Sequence, residues 1–236
     1  MKKLFYSVSF FFLATVAVIA QPTFGIKAGF NFAIWSQNFQ VAADEMPVNS
    51  RLAPNLGLVV DYPISEGLSL RSGIQYSSKG TAVDLKELLA DLPDLKIKGY
   101  DRFIVNYLEI PVKGVFAAGP VKVSAGPYFA FGLNGINKWD YEVTYNGGSF
   151  TDNGSEKAEF SNERISGNNK WEIKGMDLGI DLGVEYPVGP VSLGLSYSKG
   201  FVNMTPSDPQ DPSYDPSTEK MTNSVFSFTA IYMLSK

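Results

Sequence analysis

The feature that most constrains this chain is a hairpin written twice. Residues 61–80 read DYPISEGLSLRSGIQYSSKG, and residues 185–200 read EYPVGPVSLGLSYSKG. Each is the end of an apolar-alternating strand, a tight Pro/Gly turn, and a second strand alternating apolar residues with Gly, Ser or charge. Alternation with period two puts all the oily side chains on one face of a sheet and all the wet ones on the other. Repeated along a chain, that pattern suits a sheet with lipid outside and polar atoms inside, a transmembrane β-barrel.

The same period picks out eight strands, near 23–34, 52–62, 68–78, 104–116, 121–133, 175–186, 191–199 and 224–234. The sixth is the cleanest, setting Met176, Leu178, Ile180, Leu182, Val184 and Tyr186 against Asp177, Gly179, Asp181, Gly183 and Glu185. The connections alternate between short (63–67, 117–120, 187–190) and long (35–51, 79–103, 134–174, 200–223). The expected fold is therefore all-β, an eight-stranded antiparallel transmembrane barrel of up-and-down meander type. Short periplasmic turns and long extracellular loops go with it. Aromatic residues on the oily face near the strand ends (Phe24, Tyr62, Tyr76, Phe116, Tyr186, Tyr197, Tyr232) are placed to form girdles at the two membrane interfaces.

The beginning of the chain agrees. Lys2 and Lys3 precede an apolar run from Leu4 to Ile19, the form of a secretory signal peptide cleaved after Ala20. The barrel domain is then 21–236. After Ala20 no stretch reaches the roughly 20 apolar residues of a spanning helix. Histidine and cysteine are both absent, which removes Ser-His hydrolysis, His-ligated zinc and thiolate chemistry together. A net charge of −4 offers nucleic acid no basic stripe. No enzyme activity, metal or cofactor is expected.

The inward positions carry Lys27, Arg71, Lys113 and Lys122 with Asp61, Glu109, Asp177, Asp181 and Glu185. In a narrow lumen these must pair, since an unpaired buried charge costs several kcal/mol. An eight-strand barrel is just wide enough for side chains to fill, so a salt-bridged plug is expected. Asp177, Asp181 and Glu185 lie too far apart along one strand, about 13 Å between neighbours, to act as a carboxylate pair on one bond. They should meet Lys113, Lys122 or Arg71 across the lumen.

The loops hold three further features. Asp208, Asp211, Asp215 and Glu219 in the Asp-Pro segment could in principle gather a calcium ion, but a solvated loop explains them without one. Leu85, Leu88, Leu89 and Leu92 at helical spacing suggest a short helix on the barrel rim. Trp139, Tyr141, Tyr145 and Trp171 suit strand extensions beyond the membrane, with glycan or partner stacking the other reading.

The runs FGIKAGFNF (24–32), YLEIPVKGVF (107–116) and YSKGFVNM (197–204) resemble the outer-membrane β-barrel domain of Bacteroidetes, the PorT-like family, over essentially the whole mature chain. The resemblance implies a small barrel in the outer membrane of a Gram-negative cell. Outer-membrane lipids would surround it, with envelope or secretion-complex proteins as partners. One departure is the chain end, Met233-Leu234-Ser235-Lys236, where such barrels often finish on an aromatic residue. A narrow porin or transporter, and a soluble lipocalin-like barrel with Leu58, Ile180 and Leu195 lining a ligand cavity, are the rival readings.

Overall fold

The computed structural model describes residues 21–39, 47–88, 94–164, 170–211 and 213–234. The expected signal peptide, Leu89 and Leu92 of the short helix, and the last two residues lie outside that set. In chain order the strands are β1 (Thr23–Phe39), β2 (Val48–Asn49), β3 (Arg51–Ser65), β4 (Leu68–Val83), β5 (Leu95–Ala118) and β6 (Val121–Tyr145). They continue with β7 (Gly148–Lys157), β8 (Glu159–Phe160), β9 (Glu172–Ile173), β10 (Met176–Val188), β11 (Val191–Gly200) and β12 (Glu219–Met233). A one-turn helix, α1 (Leu85–Leu88), sits between β4 and β5. No helix among the described residues is long and apolar enough to cross a membrane.

Eight of the strands close on themselves. The order β1-β3-β4-β5-β6-β10-β11-β12 returns to β1, every neighbour antiparallel. Each ring strand pairs with the ring strands before and after it in the chain, so the ring is a meander, and closure removes its free edges.

The short turns follow from their glycines. Gly119-Pro120 and Gly189-Pro190 each put a left-handed glycine (φ 64° and 61°) before a proline, the arrangement of a type II′ hairpin. Glu66-Gly67 closes the β3–β4 hairpin with Gly67 at φ 81°.

The opposite end differs from the sequence expectation. Much of the expected loops 79–103 and 134–174 is strand. β5 and β6 stay paired from Ala118↔Val121 out to Leu95↔Tyr145. β7 then folds back along β6 through Asn146-Gly147, with φ 48° and 81°, a type I′ signature. Trp139, Tyr141 and Tyr145 lie in β6 as the expected strand extensions, while Trp171 lies outside the strands; the hydrophobic period there is too weak to give the strand bounds.

Facing is consistent along the ring. Leu58 (59% exposed), Leu195 (65%) and Phe226 (64%) lie on the outer surface. Their strand neighbours Val59, Gly194 and Ser227 are buried. The core is thus the lumen.

Candidate functional site: the filled lumen

The short-turn half of the lumen is held by charge. Arg71 and Asp61 are register partners on β4 and β3. The guanidinium grips the carboxylate with both prongs, Nε to Oδ1 at 2.5 Å and Nη2 to Oδ2 at 2.8 Å. Its third nitrogen donates to Glu185 on β10. Such a planar fork can serve two acids at once. Lys113 on β5 pairs with Asp181 at 2.8 Å, and Ser198 donates to the other oxygen of that carboxylate at 2.6 Å. Lys27 donates to Gln75 at 2.9 Å, and Gln75 donates to Glu109. A cavity of about 20 Å³ remains between Lys27, Arg71, Lys113 and Glu185, room for a single water.

Above this layer the lumen centres on Lys79. Its ammonium lies 2.7 Å from Glu109 and 3.3 Å from Asp177, and 4.1 Å from the centroid of the Tyr128 ring. The side chain is 1% exposed. Tyr128 and Asn223 both donate to Asp177, at 2.9 Å and 2.8 Å. Beside it Asn31 donates to Ser77 and to the Ser78 carbonyl, while Asn55 and Ser227 donate to the Asn31 oxygen. Buried ions are tolerated here because the groups around them supply hydrogen bonds.

The long-loop mouth is closed by apolar side chains. Trp35, Val105, Tyr107, Tyr128, Ala130, Ile173 and Met204 form one buried cluster, with Phe103, Phe160 and Trp171 packed against it. Phe103 and Trp171 meet edge to face at 5.2 Å. Backbone bonds fasten the roof to the wall: Lys174 N–H to the Met204 carbonyl at 2.9 Å, Met204 N–H to Met221 at 2.8 Å, and Gly132 N–H to Gly175 at 2.6 Å. Gly132 also leaves room for the Phe160 ring, since a Cβ there would stand 2.5 Å from it.

Of the residues expected to line the lumen, Lys27, Asp61, Arg71, Glu109, Lys113, Asp177, Asp181 and Glu185 are all buried. Asp181 and Glu185 meet Lys113 and Arg71 as expected. The expectation for Lys122 needs correcting: it sits half-buried at the short-turn end of β6, next to Val121 at the turn, and has no ion pair among the described residues. Its place in the network is taken by Lys79, which the sequence reading put in a loop. The signal was present, because residues 71, 73, 75, 77 and 79 share one face. Trp35, Ile173 and Met204 had no such signal, lying at or beyond the ends of the alternating runs.

Among the girdle residues, Phe24, Tyr62, Phe116, Tyr186 and Tyr232 are well exposed on the outer surface, whereas Tyr76 and Tyr197 are half-buried. Two of the Asp-Pro segment's carboxylates share a cation and two cap turns: Arg164 lies between Asp208 and Glu219, 3.8 Å from the latter. Asp208 lies 3.6 Å from Arg164, Glu219 accepts from the Tyr214 hydroxyl at 2.7 Å, and Asp211 and Asp215 cap turns at Ser213 and Ser217. No cluster of acids suited to a metal occurs among the described residues. Trp171 belongs to the roof, and Trp139 donates to Asp152 on the β6–β7 hairpin at 3.1 Å.

A closed antiparallel ring, oily outside and ion-paired within, defines a transmembrane β-barrel. The chain belongs to the outer membrane protein beta-barrel domain family, whose model matches residues 19–205, a span that stops before β12. The family is one of Gram-negative outer-membrane barrels, and that is where the chain is placed. No curated protein sequence matches it. Solved structures similar to it include Ail, the attachment invasion locus protein of Yersinia pestis, at 11% identity and TM-score 0.40 over 91% of this chain and 99% of that one. Neisserial surface protein A is similar at 14% and 0.36, covering 90% and 97%. A major outer membrane protein of Thermus thermophilus is similar at 15% and 0.39, covering 90% and 99%. At these low scores the family model, and not the structures, carries the assignment.

Proposed function

We propose that this protein is a non-enzymatic, closed outer-membrane barrel of PorT-like kind. It would serve envelope structure, surface contact or support of a secretion complex through its long-loop end. The observation that carries the reading is the filling of the lumen, ion pairs below with space for about one water among them and an aromatic roof above. The long-loop end faces the cell exterior, and a cleaved signal peptide at 1–20 delivers the chain to the envelope.

Planar-bilayer recording of refolded protein tests the closure: the expected trace is flat, and steady ion steps would favour the narrow-porin reading. The lipocalin-like alternative needs its oily residues inside, whereas Leu58, Ile180 and Leu195 are on the outside. Extraction that succeeds without detergent would revive it. Crosslinking in intact cells, followed by recovery of the protein, tests the secretion-complex partner.

A further inference from the structure

Lys199 sits at the outer rim of the barrel in an arrangement the lumen does not explain. It follows Tyr197 and Ser198 on β11, and Ser198 is the inward residue that donates to Asp181. Lys199 therefore points outward, just above Tyr197. Its ammonium donates to the Thr222 hydroxyl at 3.0 Å and the Ser224 hydroxyl at 2.8 Å, both on β12. An ammonium has three donors, so one is left to face outward. Lys220 lies on the same face of β12, close enough to repel Lys199 electrostatically. Neither lysine has an ion-pair partner among the described residues.

On the same outer face, starting at Tyr197 two residues before Lys199, is an open groove of about 550 Å³ in the outer wall. Phe32, Tyr197 and Phe226 line its upper end, and Leu182, Leu195 and Phe228 line it below. Tyr197 and Phe226 meet at 4.8 Å between ring centroids. The floor is made of small inward-facing residues, Gly183, Ser196 and Ser227. The combination is an apolar recess with two cationic side chains on the same face beyond its long-loop end.

We propose that this face binds one phosphorylated lipid of the leaflet at the long-loop end. An acyl chain would lie in the groove, and the phosphate would accept from Lys199 and Lys220. The inference rests on the membrane reading above and deepens it by naming the lipid chemistry one face selects. Basic clusters at an apolar boundary favour such head groups over neutral ones, and Lys199 can reach the phosphate level while its stem stays against the rings.

Native mass spectrometry of the full chain, refolded in detergent, tests it. The probes are lipid A with its phosphates and the same lipid A stripped of them. Wild type should retain the phosphorylated probe about tenfold better. Lys220→Gln, an exposed change that disturbs no hydrogen bond, should lower retention about fivefold. Lys199→Gln with Lys220→Gln should abolish the preference, and Lys199→Arg should keep it. Equal retention of both probes by wild type, or an unchanged preference in the double variant, would overturn the site while leaving the barrel intact. A chain that stays in solution without detergent would sink both readings.

Discussion

Tyr76-Ser77-Ser78-Lys79-Gly80 and Tyr197-Ser198-Lys199-Gly200 differ by one serine, yet their lysines finish on opposite sides of the barrel wall. In both, the tyrosine lies on the outer face and the next serine faces the lumen. With the second serine present, Lys79 falls on the inner face and is enclosed by Glu109, Asp177, Tyr107 and Tyr128. Without it, Lys199 falls on the outer face and rests on two hydroxyls. The inner position after it goes to Gly200, where a Cβ would stand 2.6 Å from Asp177. A one-residue shift moves every later side chain to the other face. The same ion thus becomes part of the plug in one hairpin and of the rim in the other.

The strongest way to break this contrast is to remove the enclosed ammonium. Lys79→Met leaves Glu109 and Asp177 facing each other in the closed lumen. Urea unfolding of the refolded protein should show a loss of about 3–5 kcal/mol. Adding Glu109→Gln and Asp177→Asn should recover much of it, and a neutral Lys79→Met would mean that the cage contributes nothing.

The roof over that cage comes next. Met204 is fully buried, with its sulfur 3.6 Å from the Tyr107 hydroxyl, so Met204→Ala should cost about 2–5 kcal/mol by opening a cavity. On the outer face, Leu58→Arg should cost about 2–4 kcal/mol if its position is at mid-membrane depth, because the guanidinium would enter hydrocarbon. At the rim the effect should nearly vanish. Lys199→Gln is expected to change stability by no more than about 0.5 kcal/mol in the same titration.

The smallest effect belongs to the loop outside the membrane. Partial burial and the hydrogen bond it donates to Glu219 push the Tyr214 hydroxyl up to about 12. A raised value means the stabilisation is present below the ordinary tyrosine range, near 10, and is lost as pH rises through the folded value. Tyrosinate absorbance should therefore report loosening of this loop only in strongly alkaline solution. A Tyr214→Phe variant should lack that step.

The contrast also marks what was legible in the sequence. Ring strands, short turns and the lumen acids follow from a strict period of two, which lipid on one side enforces. The period holds for Lys79 as well, but the alternating run legible in the sequence stops at Ser78, whereas β4 continues to Val83. Beyond the membrane no single solvent fixes each face. β7 and the outer reaches of β5 and β6 therefore carry mixed patterns. Trp171, Ile173 and Met204 reach the roof from segments with no period at all. Lys122 illustrates the opposite error: its inward parity is right, but a residue beside the turn is too near water to need a partner.

The chain has no cysteine, so single-cysteine variants can report which side of the wall each position faces. The decisive measurement is the labelling rate of Ser198→Cys and Lys199→Cys by a charged, water-soluble maleimide, with the protein refolded into liposomes. Lys199→Cys should react readily and Ser198→Cys only after unfolding in urea. If Ser198→Cys reacts as fast as its neighbour, or Lys199→Cys stays silent while Ser198→Cys labels, the lumen is not closed and the faces are assigned the wrong way round.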